Sequence, residues 1–147
     1  MKNNLDLGEE YVELTINNDE NKVIRIDLND FGMIERLNDS YKKIDEFQNN
    51  HKDIKINYDG TATDILNESA EILKAFNTLI REQIDYILDS KVSDIVFGNK
   101  NPLSTVKGVP LYERFLNALK PYIEKIAKKE NEESQKRISK YTKVIRW

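Results

Sequence analysis

Residues 97–112 read FGNKNPLSTVKGVPLY, and they hold four of the chain's eight Gly and Pro residues between two stretches of helical spacing. A short Gly-rich turn can present backbone N–H groups to a phosphate, or it can be a shaped joint between helices. The order of residues favours the joint. Asn101 stands before Pro102 and is driven toward an extended conformation, Gly108 can supply a positive φ, and Val109-Pro110 relaunches the chain. Leu103 and Val106 are the apolar residues that tie such an excursion to its flanks. Ser104 and Thr105 lie beside Lys107-Gly108, but the G-x-x-x-x-G-K-[ST] order of a phosphate loop is missing and no parallel-sheet pattern precedes it. A turn or a helix cap is the better reading there.

Working upstream, Ile65, Leu66, Ile72, Leu73, Phe76, Leu79, Ile80, Ile84, Ile87 and Leu88 form a broad stripe that predicts a core helix over about 63–89, with Thr61 or Thr63 as its N-cap. Phe76, Leu79 and Ile80 are expected to be buried. The piece KVSDIVFG adds Val92, Ile95, Val96 and Phe97 before Gly98, which permits the left-handed conformation that commonly closes a helix. Downstream, Pro110 suits a first helical turn, and Leu111, Phe115, Leu119, Tyr122, Ile123 and Ile126 supply a new apolar face. Pro121 lies inside that helix and predicts a bend or break near Ala118. After Ala127 ten consecutive positions lack an apolar residue, until Ile138, Tyr141, Val144, Ile145 and Trp147 resume.

At the other end, YVELTI and KVIRIDL alternate across the polar stretch NNDEN and predict a β-hairpin, with Val12, Leu14 and Ile16 on one face of the first strand and Ile24, Ile26 and Leu28 on one face of the second. Asn29 or Asp30 can then cap a helix whose apolar residues are Phe31, Ile34, Leu37, Tyr41, Ile44 and Phe47, ending near NNHKD. The stretch DIKINYDGTATD is a connection with an Asp59-Gly60 turn. The predicted fold is mainly α: an N-terminal β-hairpin, a small helical bundle and a C-terminal helical extension. One domain is expected over residues 1–127, with a basic helical extension or tail over 128–147.

Composition narrows the function. The chain has 147 residues, 39% of them hydrophobic and 33% charged, which is polar for a globular protein but not disordered. Without cysteine there is no disulfide framework, thiolate metal site or thiol nucleophile. Residues 1–10 carry no apolar run behind their one lysine, and no window approaches the roughly 18 apolar residues of a membrane span. A soluble cytoplasmic chain is the expectation. The net charge of −3 conceals a division: residues 1–119 carry 14 Lys/Arg against 22 Asp/Glu, and residues 120–147 carry 9 against 4. The basic end could meet nucleic acid, yet Lys128, Lys129, Lys136, Arg137, Lys140, Lys143 and Arg146 are mixed with Glu130, Glu132 and Glu133, which repel phosphate.

Catalytic candidates are few. His51 is the only histidine and sits in the polar stretch QNNHKD, where a surface position is expected. Asp53, Asp59 and Asp64 do not match the ligand spacing of a calcium loop. No nucleophile is paired with a base, so no catalytic, cofactor or metal site is predicted, and the expectation is a protein that is not an enzyme. Ile138, Tyr141 and Ile145 recur at helical spacing behind a fully polar stretch. They could fold back on the body, dock on a partner chain, or fray.

The run SDIVFGNKNPLSTVKGVPLYERFLNAL, residues 93–119, preceded by a long amphipathic pattern and followed by the basic KRISKYTK, resembles the tail assembly chaperones of long-tailed phages and prophages of Gram-positive bacteria. The resemblance spans most of the chain and is strongest over residues 64–143. It rests on F-G, N-P-L and P-L-Y-x-x-F, which mark a joint rather than a chemistry. It implies a mostly helical, non-enzymatic protein of the host bacterial cytoplasm, absent from the mature virion, whose partners are the tape measure protein and the tail tube protein, with self-association into a homo-oligomer also open. On that view Phe97, Leu103, Ile138, Tyr141, Ile145 and Trp147 are the candidate partner-binding residues. The competing classes are a small nucleic-acid-binding phage regulator and a minor virion structural protein.

Overall fold

Val12, Leu14 and Ile16 alternate with polar residues, and the strand they form, β1 (Tyr11–Ile16), pairs antiparallel with β2 (Asp19–Asp27). The register sets Val12 opposite Ile26 and Leu14 opposite Ile24, so the apolar residues of both strands share one face, with Ile24 and Ile26 buried. In this computed structural model residues 1–51 and 62–145 are described, with side chains at 1–51 and 67–140. The turn is tighter than the five polar residues predicted. Asn17 and Asn18 alone reverse the chain, both at positive φ (52° and 61°), the geometry whose twist matches that of the flanking strands. The ladder then slips: Ile16 faces Asp19 but Thr15 faces Val23, so Glu20, Asn21 and Lys22 form a bulge in β2.

Helix α1 (Gly32–Asn50) starts without the predicted cap. Phe31 occupies the N-cap position and makes no side-chain hydrogen bond. Asp30 instead binds the Arg36 guanidinium, whose Nε donates to the Ile87 carbonyl of the next helix at 3.1 Å. Asn29 is drawn away to Glu10, donating to its Oε2 at 3.0 Å. A charged partner within reach outcompetes a backbone N–H for the Asp30 carboxylate.

Helix α2 (Ala62–Leu88) is the central element. It already includes Thr63, which therefore lies inside the helix and does not cap it, and it takes in residues 62–64 of the connection predicted over 53–64; the rest of that connection, with Asp53, Asp59 and Thr61, and the side chains of Asp64, Ile65 and Leu66 lie outside the described residues. Phe76 is 2% exposed and Ile80, Ile84 and Ile87 are buried with it, whereas Leu79 is half-buried and Leu73 exposed. The Phe76 ring meets Phe47 of α1 at 5.4 Å between centroids and Tyr112 of the last helix at 5.2 Å, so three helices converge on one aromatic cluster. The helix ends with Ser90 N–H on the Asp85 carbonyl (3.1 Å), Asp89 N–H on the Tyr86 carbonyl (3.2 Å) and Asp89 at φ 49°, a Schellman closure with aspartate where glycine is usual.

The short α3 (Ser93–Phe97) follows, then a two-residue hairpin of β3 (Thr105–Val106) and β4 (Val109–Pro110), and finally α4 (Leu111–Ile145). Pro110 closes β4 immediately before the helix. Pro121 neither breaks nor ends α4, which runs through it for 35 residues. Pro121 is exposed, and Leu119 and Ile126 on either side of it are buried, so packing of the apolar face holds the helix across the missing N–H. The boundary expected between 127 and 128 also falls inside this continuous helix. Beyond it the Lys129 ammonium binds Asn29 and lies 3.9 Å from Glu10, and residues 131–140 include no buried side chain.

Candidate partner-binding site

The joint is built by α2. Arg81, four residues after Asn77, donates four hydrogen bonds: Nε to Asn77 Oδ1 (2.8 Å), Nη1 to Asp94 Oδ1 (2.7 Å), and Nη2 to the carbonyls of Gly98 (2.8 Å) and Lys100 (2.9 Å), with its guanidinium carbon 5.7 Å from the Phe97 ring centroid. One guanidinium thus fixes α3 and the turn beyond it. Asp85 supplies the cap that α3 lacks: its Oδ1 accepts the N–H groups of Val92 (2.9 Å) and Ser93 (2.7 Å), and its Oδ2 accepts the buried Ser93 hydroxyl (3.1 Å). Gly98 has the predicted positive φ, but at φ 58° and ψ −129° it lies outside the left-handed helical region; it serves the Arg81-held turn.

The N-P-L segment is equally determined. Asn101 folds on itself by accepting the Leu103 N–H (2.9 Å) and reaches the Leu73 carbonyl with its amide (3.1 Å). Pro102 is fully buried, and its carbonyl takes the Tyr112 N–H at 3.1 Å. The Ser104 N–H donates to the Asn101 carbonyl (2.8 Å), the turn expected there, and the Ser104 carbonyl accepts the Leu111 N–H across the hairpin (2.9 Å). Lys107 and Gly108, at φ 52° and 79°, make the β3–β4 turn, and Arg114 holds it by donating twice to the Val106 carbonyl (3.1 and 2.7 Å). Phe97 meets Phe115 edge-on at 6.3 Å, and Leu103 is half-buried against the core.

Of the six predicted partner residues, the three with described side chains, Phe97, Leu103 and Ile138, do not form one site. Phe97 and Leu103 belong to the joint, where Phe97 is buried and shows a partner only the edge that lines a groove. Ile138 stands far along α4 at 58% exposure, and the side chains of Tyr141 and Ile145, with the whole of Trp147, lie outside the described residues. The groove itself was not foreseen. It has a volume of about 360 Å³ and an apolar floor of Ile16, Val96, Phe97, Leu111 and Phe115. Lys22, Lys100 and Arg114 stand around it, and no carboxylate lines it. Lys22 is there because of the bulge in β2, which sequence periodicity cannot show.

A smaller cleft of about 240 Å³ lies between α1 and α4, lined by Tyr41, Asp45, Gln48, Tyr112 and Glu113 among others. The Tyr112 hydroxyl accepts from Gln48 Nε2 at 3.0 Å, and burial, with the Glu113 charge beside it, pushes its pKa up. His51 is half-buried at the end of α1, stacked on Phe47 at 3.9 Å with Nδ1 2.6 Å from the Phe47 carbonyl, and so is a part-exposed residue of the helix terminus. Among the described residues no group of three His, Asp or Glu side chains gathers as metal ligands, and no helix is long and apolar enough to cross a membrane. No family model matches the chain, and no curated protein or solved structure does so significantly.

Proposed function

We propose that this chain is a non-enzymatic assembly chaperone of phage tails, acting in the host bacterial cytoplasm on the tape measure protein, the tail tube protein or both, and absent from the finished particle. The resemblance over residues 64–143 motivates the reading. The observation that carries it is the shape of α4: one helix of 35 residues, about 52 Å long at 1.5 Å per residue, whose first half packs on the body while residues 131–140 include no buried side chain. An arm of this kind can lie alongside a long helical client and make many weak contacts, and several copies on one client would gain avidity without any strong single site.

The polar groups of the joint support the same reading. Arg81, Asp85 and Asn101 spend their hydrogen bonds on backbone and neighbouring side chains, which is the chemistry of a fixed angle between helices. The test is a pull-down from phage-producing cells with the tagged full chain as bait, run beside mass spectrometry of purified particles. Recovery of the tape measure or tail tube protein, with the chain missing from particles, is the expected result. Recovery of nucleic acid alone would move the chain to the regulators, and its presence in particles would make it a structural component.

A further inference from the structure

The groove beside the joint combines an apolar floor with three cationic groups on a body that is otherwise acidic, and the same chain carries a segment of matching chemistry. Residues 1–10 have no regular structure and every side chain among them is exposed. Leu5 and Leu7 are 88% and 95% exposed, and between and after them stand Asp6 and Glu9. Asp6 accepts the Gly8 N–H at 2.9 Å in a local turn with Gly8 at φ 77°, and Leu5 and Leu7 stand in solvent on either side of it. Exposed leucines two residues apart beside the carboxylates of Asp6 and Glu9 are an unusual use of surface, and they match the apolar floor and the cationic rim of the groove.

We infer that the N-terminal arm of one copy docks in this groove of a second copy, its two leucines on Val96, Phe97, Leu111 and Phe115 and its carboxylates toward Lys22, Lys100 and Arg114. The topology selects a second copy over the arm's own groove. The arm joins β1 at Tyr11, which pairs with Asp27, whereas Ile16 and Asn17 at the opposite end of that strand line the groove. Six strand residues put about 17 Å between the two ends. The root of the arm is also held, since Glu10 accepts from Asn29 at 3.0 Å and lies 3.9 Å from Lys129. A given arm would have to reverse at a fixed residue and double back along all of β1 to reach its own groove. Exchange between two copies needs no reversal, and because each copy has one arm and one groove, the contact closes as a two-fold dimer. This inference concerns self-association and does not depend on the identity of any client.

The test is sedimentation equilibrium of the full chain over a wide concentration range. The wild-type chain should form a dimer that weakens as salt is raised. Leu5→Ser/Leu7→Ser and Lys22→Glu/Lys100→Glu should each weaken dimerisation at least tenfold, with the melting temperature unchanged at concentrations where the wild-type chain is monomeric, since the substituted arm residues are exposed and the two lysines make no hydrogen bond that holds the fold through their side chains. Mixing the two variants should restore a heterodimer through the one arm and one groove left intact. A synthetic peptide of residues 1–10 should bind the arm variant and not the groove variant. A chain that stays monomeric at every concentration overturns the inference, as does a dimer indifferent to both variants. An arm variant that lowers the melting temperature without changing the mass would show the arm seated in its own groove, and would overturn it equally.

Discussion

The Ser40 hydroxyl donates to the Gln83 side-chain oxygen across 2.9 Å, and both residues are buried between α1 and α2. This polar pair sits among Met33, Ile44, Ile80, Ile84 and Ile87, where hydrophobic contact alone would tolerate a slide of one helix along the other. A hydrogen bond with one geometry fixes the register. Arg36 pins the same pair of helices from the next turns by reaching the Ile87 carbonyl.

Ser40→Ala should therefore destabilise the fold by about 1–3 kcal/mol, because it strands a buried amide oxygen. Adding Gln83→Leu should recover much of the loss. Urea denaturation of the two single variants and the double gives the coupling directly. Additive effects would mean that the two side chains do not act as a pair.

At the joint, Arg81→Lys should cost on the order of 2–3 kcal/mol despite keeping the charge, since an ammonium cannot reach the Gly98 and Lys100 carbonyls and Asn77 together. The ion pair with Asp94 contributes little to that figure, as Asp94 is almost wholly exposed. Amide exchange should show protection lost first over α3 and the N-P-L turn, and later over the body. Uniform loss of protection would place Arg81 in the general core instead.

These two sites show what periodicity can and cannot reveal. The hairpin, the long α2 and the start of α4 follow from apolar spacings of two, three and four, and the positive φ of Gly108 from the turn that had to contain it. The predicted stripe of α1 holds at Phe31, Ile34, Leu37, Ile44 and Phe47, all packed on the core, but Tyr41 is exposed and Met33 and Ser40 are buried where no stripe residue was expected. The serine disguised that face, since a polar residue is not counted as core. Arg81 and Asp85 were invisible for a related reason: apart from Asn77, their partners lie 7 to 19 positions away across turns, at separations set by the fold and by no repeat. The groove depends on a three-residue bulge, and a bulge leaves no mark in an alternation of apolar and polar residues.

Tyr112 gives a pH signature. Its pKa is raised above the usual 10.0 by burial and by Glu113, with the hydrogen bond from Gln48 acting in the opposite sense. A folded-state pKa above the unfolded one means that the stabilisation is complete below the unfolded value and is lost as pH rises from about 10 through the folded value. Tyr112→Phe removes the Gln48 bond and should cost about 0.5–1.5 kcal/mol at neutral pH. That gap should narrow above pH 10, because phenylalanine has no proton to lose. Parallel melting curves at pH 7 and above pH 10 measure it, and a gap that stays constant would remove Tyr112 from the alkaline response.

The last expectation concerns α4. Truncation after Ala127 removes the Lys129 contacts to Asn29 and Glu10 but no buried apolar side chain among the described residues, since the core contribution of this helix ends at Ile126. The melting temperature should fall by only about 2–5 °C, the scale of one partly exposed polar contact in a chain of this size. If the chain acts as proposed, client binding should fall far more, because residues 128–147 hold seven Lys/Arg against three Asp/Glu and include the stretch 131–140 of α4, which has no buried side chain. Binding by the full chain should weaken with salt, and the truncated chain should lose that dependence. Circular dichroism melts and a titration against the purified tape measure protein separate the two effects. A truncated chain that unfolds outright would show that the end of α4 is structural, and one that binds as well as the full chain would place the client surface on the body.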